Sequence, residues 1–381
     1  EKKKISYNLW TNLMSTKKDK SLIKDQIYMD LALDLARARE GLTGTNPSVG
    51  CVIVKNNEII SIGQTSYNGR PHAELNAIQN AVKDVKGSSM YVTLEPCSHH
   101  GITPPCTKAI INAKISEVIY SIIDVDKRVS GKTYKKLKSK DIAVKIGILQ
   151  NRINKFYAPY FFNRKNKLPY VSGKIAISNN KLIYSKNRKK ITNSLSDKFT
   201  HFLRYKNDSI LISYKTLNKD NPRLNCSLKN MEKFSPKRII LDNNLNTNVS
   251  SYLFKTANKE NTIIFYNEAN KSRVEKFRKK EIKIIKSKIN KHKEFDILVI
   301  MKKLYKLGSR NILVEGGNQL TKNFLNQKVF NQFYLFKSSK KLSKLTEYKE
   351  FNGFNALKKN YKNKLKINSN FGKDKITLYK N

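Results

Sequence analysis

Hydrophobic and polar positions alternate along the chain with two different periods, and these periods predict its elements. In residues 25–39, Ile27, Leu31 and Leu35 recur every four positions, which predicts a helix with this apolar face. Short runs of Val, Ile and Tyr predict strands, and the pair Asn-Asn at 56–57 predicts a hairpin turn between the first two. In the first half, strands are predicted at 49–54, 58–63, 89–94 and 118–122, and two further helices at 72–82 and 107–113. Because helices and strands alternate, the pattern predicts an α/β fold.

The second half shows the same alternation after a short polar stretch at 163–167. Its predicted elements are strands at 169–177, 209–213, 238–242, 262–266 and 311–314 and a helix at 296–307. The pattern therefore predicts three parts, a basic tail at 1–24 and α/β domains at 25–165 and 168–381. Beyond Phe336 the chain is rich in Lys and Asn, and its pattern predicts no particular fold.

Composition narrows the range of partners. The 381 residues include 76 Lys and Arg against 29 Asp and Glu, and the resulting net charge of +47 would fit nucleic-acid binding. The basic residues are spread among abundant Asn, Ile and Tyr, which indicates a compositional bias rather than a binding patch, so we expect no nucleic-acid partner. No apolar run reaches the roughly 20 residues of a membrane span, so we expect no membrane partner either. The four cysteines fit a reducing compartment, which favours the cytoplasm.

A split motif carries the most specific chemistry. His72, Cys97 and Cys106 offer one imidazole and two thiolates, a donor set that binds Zn²⁺ and leaves the fourth tetrahedral position for water. Glu74 follows the histidine by two residues and is placed to move protons to and from that water. This arrangement is typical of zinc deaminases that act on bases, in which two residues separate the cysteines. Here eight residues separate them, which favours a different substrate. A purely structural zinc site is the alternative, and it would lack a fourth protein ligand.

The residues around this motif carry a resemblance to a known family. They are the runs Asn-Pro-Ser-Val-Gly-Cys-Val-Ile-Val at 46–54, Pro-His-Ala-Glu at 71–74, and Tyr-Val-Thr-Leu-Glu-Pro-Cys-Ser-His-His-Gly-Ile-Thr-Pro-Pro-Cys at 91–106. Together they closely resemble the bifunctional deaminase/reductase family of riboflavin biosynthesis, and the resemblance extends over residues 27–335. It implies a cytidine-deaminase-like α/β/α domain followed by a dihydrofolate-reductase-like α/β domain.

For the first domain the resemblance implies a hydrolytic deaminase. Its substrate would be 2,5-diamino-6-(5-phosphoribosylamino)pyrimidin-4(3H)-one, a small phosphorylated pyrimidine. His72, Cys97 and Cys106 would bind Zn²⁺, Glu74 would be the catalytic proton shuttle, and Asn46 would contact the substrate. His99 and His100 could be further metal ligands, contact the substrate or form a solvated rim, and the sequence favours the last two roles over ligation.

For the second domain the resemblance implies reduction of the ribosyl group to ribityl with NADPH. No G-x-G-x-x-G is present, so a Rossmann domain is not expected. The glycine pair at 316–317 follows a predicted buried strand, where backbone N–H groups can approach phosphate. The implied cofactor-binding residues are Ala176, Thr216, Asp220, Gly316, Gly317 and Asn318. The implied substrate-binding residues are Lys174, Arg204, Leu224 and Glu315.

Several positions of the second domain depart from the family pattern. Those with the clearest differences are Asn179, Asn180, Lys181, Arg188, Lys190, Asn221 and Ser227. Because the cofactor supplies the hydride and the protein mainly positions it, we nevertheless expect a working but divergent reductase rather than a decayed one. The alternatives are a monofunctional deaminase with a decayed reductase domain, a nucleic-acid base deaminase, and a basic binding protein without enzymatic activity. We expect the protein to be a homo-oligomer.

Overall fold

The computed structural model describes residues 17–186 and 190–380, and the chain divides into two compact units, Glu1–Lys165 and Asn166–Asn381. This division lies inside the polar stretch at 163–167. Each unit has its own buried apolar core. The predicted tail residues 1–16 and Arg188 lie outside the described residues.

Unit 1 is built on one five-stranded sheet with the order β2-β1-β3-β4-β5. Its strands are β1 Gly50–Lys55, β2 Glu58–Gln64, β3 Ser89–Leu94, β4 Glu117–Ile122 and β5 Ala143–Ile146. Its helices are α1 Lys17–Ala38, α2 Ala73–Gln79, α3 Cys106–Asn112, α4 Lys132–Lys138 and α5 Gln150–Asn166. β1 is antiparallel to β2 and β3, whereas β3, β4 and β5 are mutually parallel. The hairpin predicted at 56–57 therefore joins β1 to β2.

Helix α1 differs from its prediction in two ways. It begins at Lys17, so residues 17–24 of the predicted tail are helical; Lys is a good helix former, and extending an anchored helix costs little. Its buried face is also different, because Ile27 is 59% exposed whereas Met29 and Leu33 are fully buried. Ala32 and Ala36 share that buried face, and small side chains allow a helix to approach a sheet closely.

Unit 2 is built on a nine-stranded sheet with the order β11-β10-β9-β8-β12-β6-β13-β16-β15, and β7 pairs with β14 in a separate two-stranded sheet. Its strands are β6 Tyr170–Ile177, β7 Leu182–Ser185, β8 Ser209–Ser213, β9 Lys237–Leu241, β10 Thr262–Tyr266, β11 Lys283–Lys286, β12 Asn311–Val314, β13 Gln332–Lys337, β14 Tyr348–Glu350, β15 Asn363–Lys366 and β16 Lys375–Lys380. Its helices are α6 Ser194–Tyr205, α7 Tyr214–Asp220, α8 Tyr252–Lys255, α9 Lys271–Lys279, α10 Ile297–Lys306, α11 Asn318–Asn326 and α12 Phe354–Asn360.

The centre of this sheet is parallel, and its far edge is antiparallel. β8 and β6 flank β12 in parallel, which brings the carboxyl ends of three strands to one edge of the sheet. The Lys- and Asn-rich region after Phe336 is folded, because β16 pairs with β13 along six residue pairs and β15 pairs with β16. No helix in the described ranges is long and apolar enough to cross a membrane.

Candidate functional sites

Three side chains of unit 1 converge on one point. His72 immediately precedes α2, Cys97 lies in the loop after β3, and Cys106 is the first residue of α3. Their possible ligand atoms all lie within 4.8 Å of one another. His72 Nδ1 lies 3.3 Å from Cys106 Sγ and 3.6 Å from Cys97 Sγ. One imidazole nitrogen and two sulfur atoms at this spacing fit a tetrahedral zinc ion with one position left open.

The pKa values of the two thiols in this cluster are shifted in opposite directions. Hydrogen bonding from Cys106 holds the pKa of the Cys97 thiol well below its usual value, and the Cys106 backbone N–H also donates to Cys97 Sγ at 3.2 Å. Its bond to Cys97, together with burial, raises the pKa of the Cys106 thiol. The lowered pKa favours the thiolate form of Cys97, and a bound cation would favour loss of the Cys106 proton as well.

Glu74 lies in the first turn of α2 and is 3% exposed. Burial raises the pKa of its carboxyl group, so the proton is held more firmly than by a carboxyl group in water. The helix that carries Glu74 lies directly against β2, where a Cβ on Gly63 would come within 2.2 Å of the Ala73 carbonyl oxygen. Close packing on the sheet thus fixes the position of a carboxyl group suited to accepting and returning protons.

Glu95 is a buried acidic residue within the quoted motif to which the sequence analysis assigned no role. It is 3% exposed and accepts hydrogen bonds from the backbone N–H groups of Asp124 at 3.2 Å, Gly131 at 3.1 Å and Thr133 at 3.2 Å. The Thr133 hydroxyl donates to the Pro96 carbonyl oxygen at 2.6 Å. These bonds fix the start of the cysteine loop. A Glu at the end of an apolar strand, directly before Pro96, was the available signal.

Asn46 contacts the segment that leads to the metal ligands. Its Nδ2 donates to the Gly69 carbonyl oxygen at 3.0 Å, and the Thr43 hydroxyl donates to the Asn46 carbonyl oxygen at 2.8 Å. His100 is exposed and His99 is half-buried. Neither belongs to the ligand cluster found among the described residues.

Three of the predicted substrate residues in unit 2 form one charged cluster. Arg204 Nε and Nη2 donate to the two Glu315 carboxylate oxygens at 2.7 and 3.0 Å, and Nη1 donates to the Asn225 carbonyl oxygen at 3.0 Å. Both paired side chains are 14% exposed. Burial opposes ionisation of Glu315, but Arg204 and Lys174 lower the pKa of its carboxyl group below the usual value. Burial in turn lowers the pKa of the Lys174 ammonium group.

Thr216 and the glycine pair meet at the carboxyl edge of the central strands. Gly317 immediately precedes α11 after β12, and Thr216 lies in the first turn of α7 after the neighbouring β8. A Cβ on Gly317 would lie 3.2 Å from Thr216 Oγ1. Ala176 lies near the end of β6, the other neighbour of β12. Ligands of open α/β sheets bind at such an edge, which fits a nucleotide cofactor here.

The other three predicted residues of unit 2 differ in their surroundings: Asn318 hydrogen-bonds to a neighbouring segment, Leu224 is in the core and Asp220 is at a helix end. The Asn318 amide donates to the Glu350 carbonyl oxygen at 2.8 Å and accepts from the Asn352 N–H at 3.0 Å, so its side chain holds a neighbouring segment. Leu224 is 2% exposed with φ +57°, and its side chain belongs to the core. Asp220 is the last residue of α7, and its side chain is largely exposed. The surrounding protein still removes part of the hydration of its carboxyl group, which raises the pKa of that group.

Comparison with known proteins assigns a family to each unit. Residues 22–122 match the cytidine and deoxycytidylate deaminase zinc-binding region, and residues 182–364 match the RibD C-terminal domain. Both units thus have the predicted α/β fold class, a deaminase-like unit followed by a reductase unit. The zinc-binding family match agrees with the His72, Cys97 and Cys106 cluster.

Similar proteins cover both units. The riboflavin biosynthesis protein RibD of Aquifex aeolicus is 32% identical over 358 residues, which span 93% of this chain and 98% of that protein. A diaminohydroxyphosphoribosylamino-pyrimidine deaminase of Buchnera aphidicola is 44% identical over 147 residues, its entire length. The crystal structure of a diaminohydroxyphosphoribosylaminopyrimidine deaminase/5-amino-6-(5-phosphoribosylamino)uracil reductase of Thermotoga maritima has a TM-score of 0.80 at 27% identity, covering 94% of this chain and 99% of that one. The predicted resemblance is confirmed, and the chain belongs to the RibD family of bifunctional riboflavin biosynthesis enzymes.

Proposed function

We propose that unit 1 hydrolyses the 2-amino group of 2,5-diamino-6-(5-phosphoribosylamino)pyrimidin-4(3H)-one, and that unit 2 then reduces the ribosyl group of the product to ribityl with NADPH. The observation that carries the proposal is the convergence of His72, Cys97 and Cys106 beside the buried Glu74. The match to a full-length RibD over 93% of the chain supports this reaction pair over a nucleic-acid base deaminase.

In the deaminase step His72, Cys97 and Cys106 would hold zinc, which supplies Lewis-acid activation of a water molecule when bound. Glu74 accepts a proton from the attacking water and passes it to the ring nitrogen. It then delivers the second proton to the amino group, which leaves as ammonia, and a carbonyl group replaces it on the ring carbon. The raised pKa of the Glu74 carboxyl group suits both halves of this transfer. Glu95 keeps the cysteine loop in place throughout.

In the reductase step NADPH would supply the hydride, and the protein would bind and orient the two reactants. Thr216, Gly316 and Gly317 form the edge at which the cofactor's phosphate groups can approach backbone N–H groups. Lys174 on β6, Arg204 near the end of α6 and Glu315 directly after β12 offer charged donors and acceptors to the substrate. The Arg204–Glu315 pair fixes the orientation of both side chains. We further propose a homo-oligomer in the cytoplasm.

A coupled assay with separate readouts tests both steps. The purified, zinc-loaded protein should release ammonia from the diaminopyrimidinone phosphoribosyl substrate and oxidise NADPH only once the deaminated product is present. Glu74→Gln should keep its zinc and lose ammonia release, while still oxidising NADPH when the deaminated product is supplied. Full ammonia release by Glu74→Gln would overturn the assignment of unit 1. Absence of NADPH oxidation with authentic product would leave a monofunctional deaminase.

A further inference from the structure

An arginine borders the metal centre of unit 1 and has no role in the chemistry described above. Arg70 lies two residues before His72 and is half-buried. Its Nη1 donates to the Thr103 hydroxyl at 3.4 Å. Thr103 belongs to the loop between Cys97 and Cys106, so the guanidinium group lies between the two segments that carry the metal ligands. Arg70 is therefore oriented at the rim of the site.

Among the described residues Arg70 has a hydroxyl partner rather than a carboxylate partner. In the described part of the chain its guanidinium group forms no ion pair with a carboxylate, and the Thr103 hydroxyl is the partner that the structure gives it. Other arginines of unit 1 are engaged: Arg128 pairs with Asp126 at 2.6 Å, and Arg164 lies 3.9 Å from the same carboxylate. A half-buried guanidinium group without a counter-ion favours an anionic ligand.

The cysteine loop between Cys97 and Cys106 contains no Lys or Arg of its own. Ile102, adjacent to Thr103, is 86% exposed and apolar, and Gly101 precedes it. Lys136 hydrogen-bonds to the Ser98 carbonyl oxygen at 3.4 Å. Arg70 and the exposed Lys108 are thus the cations next to the second half of the loop, and Arg70 is the one that hydrogen-bonds to the loop through Thr103.

We propose that Arg70 binds the phosphate group of the pyrimidine substrate and determines the preference of unit 1 for a phosphorylated substrate. This inference rests on the function proposed above. The reacting ring carbon must lie at the metal centre beside Glu74, whereas the phosphate ends the ribosylamino arm and must lie away from that buried carboxyl group. A guanidinium group presents a planar fork of donors that matches phosphate oxygens, and the bond to Thr103 leaves further N–H groups of Arg70 for that contact.

The test is steady-state deamination by the full-length, zinc-loaded protein, with the phosphorylated substrate and with its dephosphorylated form. Arg70→Ala should raise KM for the phosphorylated substrate by about 10–100-fold, the range expected for a lost charge-assisted contact, and change kcat by less than about threefold. With the dephosphorylated substrate, Arg70→Ala and the wild type should have equal kcat/KM. Arg70→Lys keeps the charge without the planar fork of donors, so its KM for the phosphorylated substrate should lie between the values of the wild type and Arg70→Ala. Lys108→Ala removes an exposed charge near Cys106 and controls for net charge, so its KM should not change.

Each result separates this inference from the function on which it rests. A wild type that releases no ammonia overturns the proposed function and the role of Arg70 with it. An active wild type with an unchanged KM in Arg70→Ala overturns the role of Arg70 alone. The same holds if Arg70→Ala loses activity equally on both substrate forms, or if Lys108→Ala raises KM as much. Zinc content at the wild-type level in Arg70→Ala is the expected readout of an intact centre, and loss of zinc would make Arg70 a structural residue.

Discussion

The metal centre of unit 1 and the charged cluster of unit 2 are assembled in different ways. His72 and Cys106 lie 34 residues apart, and short elements of one sheet bring them together. Arg204 and Glu315 lie 111 residues apart; Arg204 is near the end of α6, which leads into β8, and Glu315 follows β12, which pairs with β8. When a site is formed by segments that are close along the chain, its residues have a characteristic spacing in the sequence. When a site depends on the order of strands in a sheet, no such spacing identifies it.

The two sites also balance their charges differently. Unit 1 collects two thiols and a buried carboxyl group, which repel one another as they lose protons and are best neutralised by a cation. Unit 2 pairs Glu315 with Arg204 and places Lys174 nearby, so its charges largely offset one another within the fold. A bound cation would therefore balance the charges of the first site, whereas the second site balances its charges by its own pairing.

Removing a metal ligand should separate the two sites most sharply. Cys106→Ala should lose bound zinc and reduce ammonia release by about 10³-fold or more, because the attacking water is no longer activated. NADPH oxidation with supplied product should be unchanged. The measurements are metal content and the two activity readouts. Cys226→Ala changes a buried cysteine of unit 2 and should keep its zinc; a zinc-replete Cys106→Ala would contradict the proposed ligand set.

Breaking the charge pair of unit 2 should have the opposite selectivity. Glu315→Gln should lower reductase kcat/KM by about 100-fold, because the Arg204 charge loses its carboxylate partner and the substrate loses an acceptor. Ammonia release should stay at the wild-type rate. The matched control is Glu350→Gln, which removes the half-exposed pair with Lys344 and should change little. Equal losses in the two variants would argue against a special role for Glu315.

Substitution of Glu95, which hydrogen-bonds to the backbone around the cysteine loop, should lower both the stability and the zinc affinity of unit 1. In Glu95→Gln an amide N–H₂ group replaces an oxygen that accepts backbone N–H groups, so we expect a loss of about 2–4 kcal/mol in the free energy of unfolding. Zinc affinity should fall by about tenfold, the lower end for residues that orient a ligand. Denaturant unfolding and competition with a chelator measure these two quantities. Unchanged values in both would show that the loop is held by other contacts.

The smallest expected effect concerns Gly317, which follows β12 at the carboxyl edge of the central strands of unit 2. Gly317→Ala places a methyl group 3.2 Å from Thr216 Oγ1 and should raise KM for NADPH by about tenfold by crowding the edge. Its kcat for deamination should not change. Gly101→Ala adds the same group to an exposed loop of unit 1, where the nearest atom is 4.0 Å away, and serves as the control. A wild-type KM for NADPH in Gly317→Ala would indicate that the cofactor binds elsewhere in unit 2.

Strand positions were the most predictable part of the fold. The strands predicted at 89–94, 209–213, 262–266 and 311–314 have the same bounds in the structure, because these runs are largely buried and mostly apolar. Helix α4 and strand β5 were not predicted. α4 is mostly lysine, and the β5 side chains are largely exposed, so neither carries a strong apolar pattern.

The sequence by itself determined the donor set of the metal centre and the alternation of strands and helices. Metal binding requires particular side chains, and burial of one face of a helix or strand requires apolar residues at regular intervals. Both features can therefore be recognised from the order of residues alone. Only the tertiary structure decided that Glu95 holds the cysteine loop, that Arg204 faces Glu315, and that the Asn318 side chain holds residues 350–352. These contacts join segments whose proximity depends on how strands are ordered in a sheet. That order is set by the packing of the whole unit, and no local pattern records it.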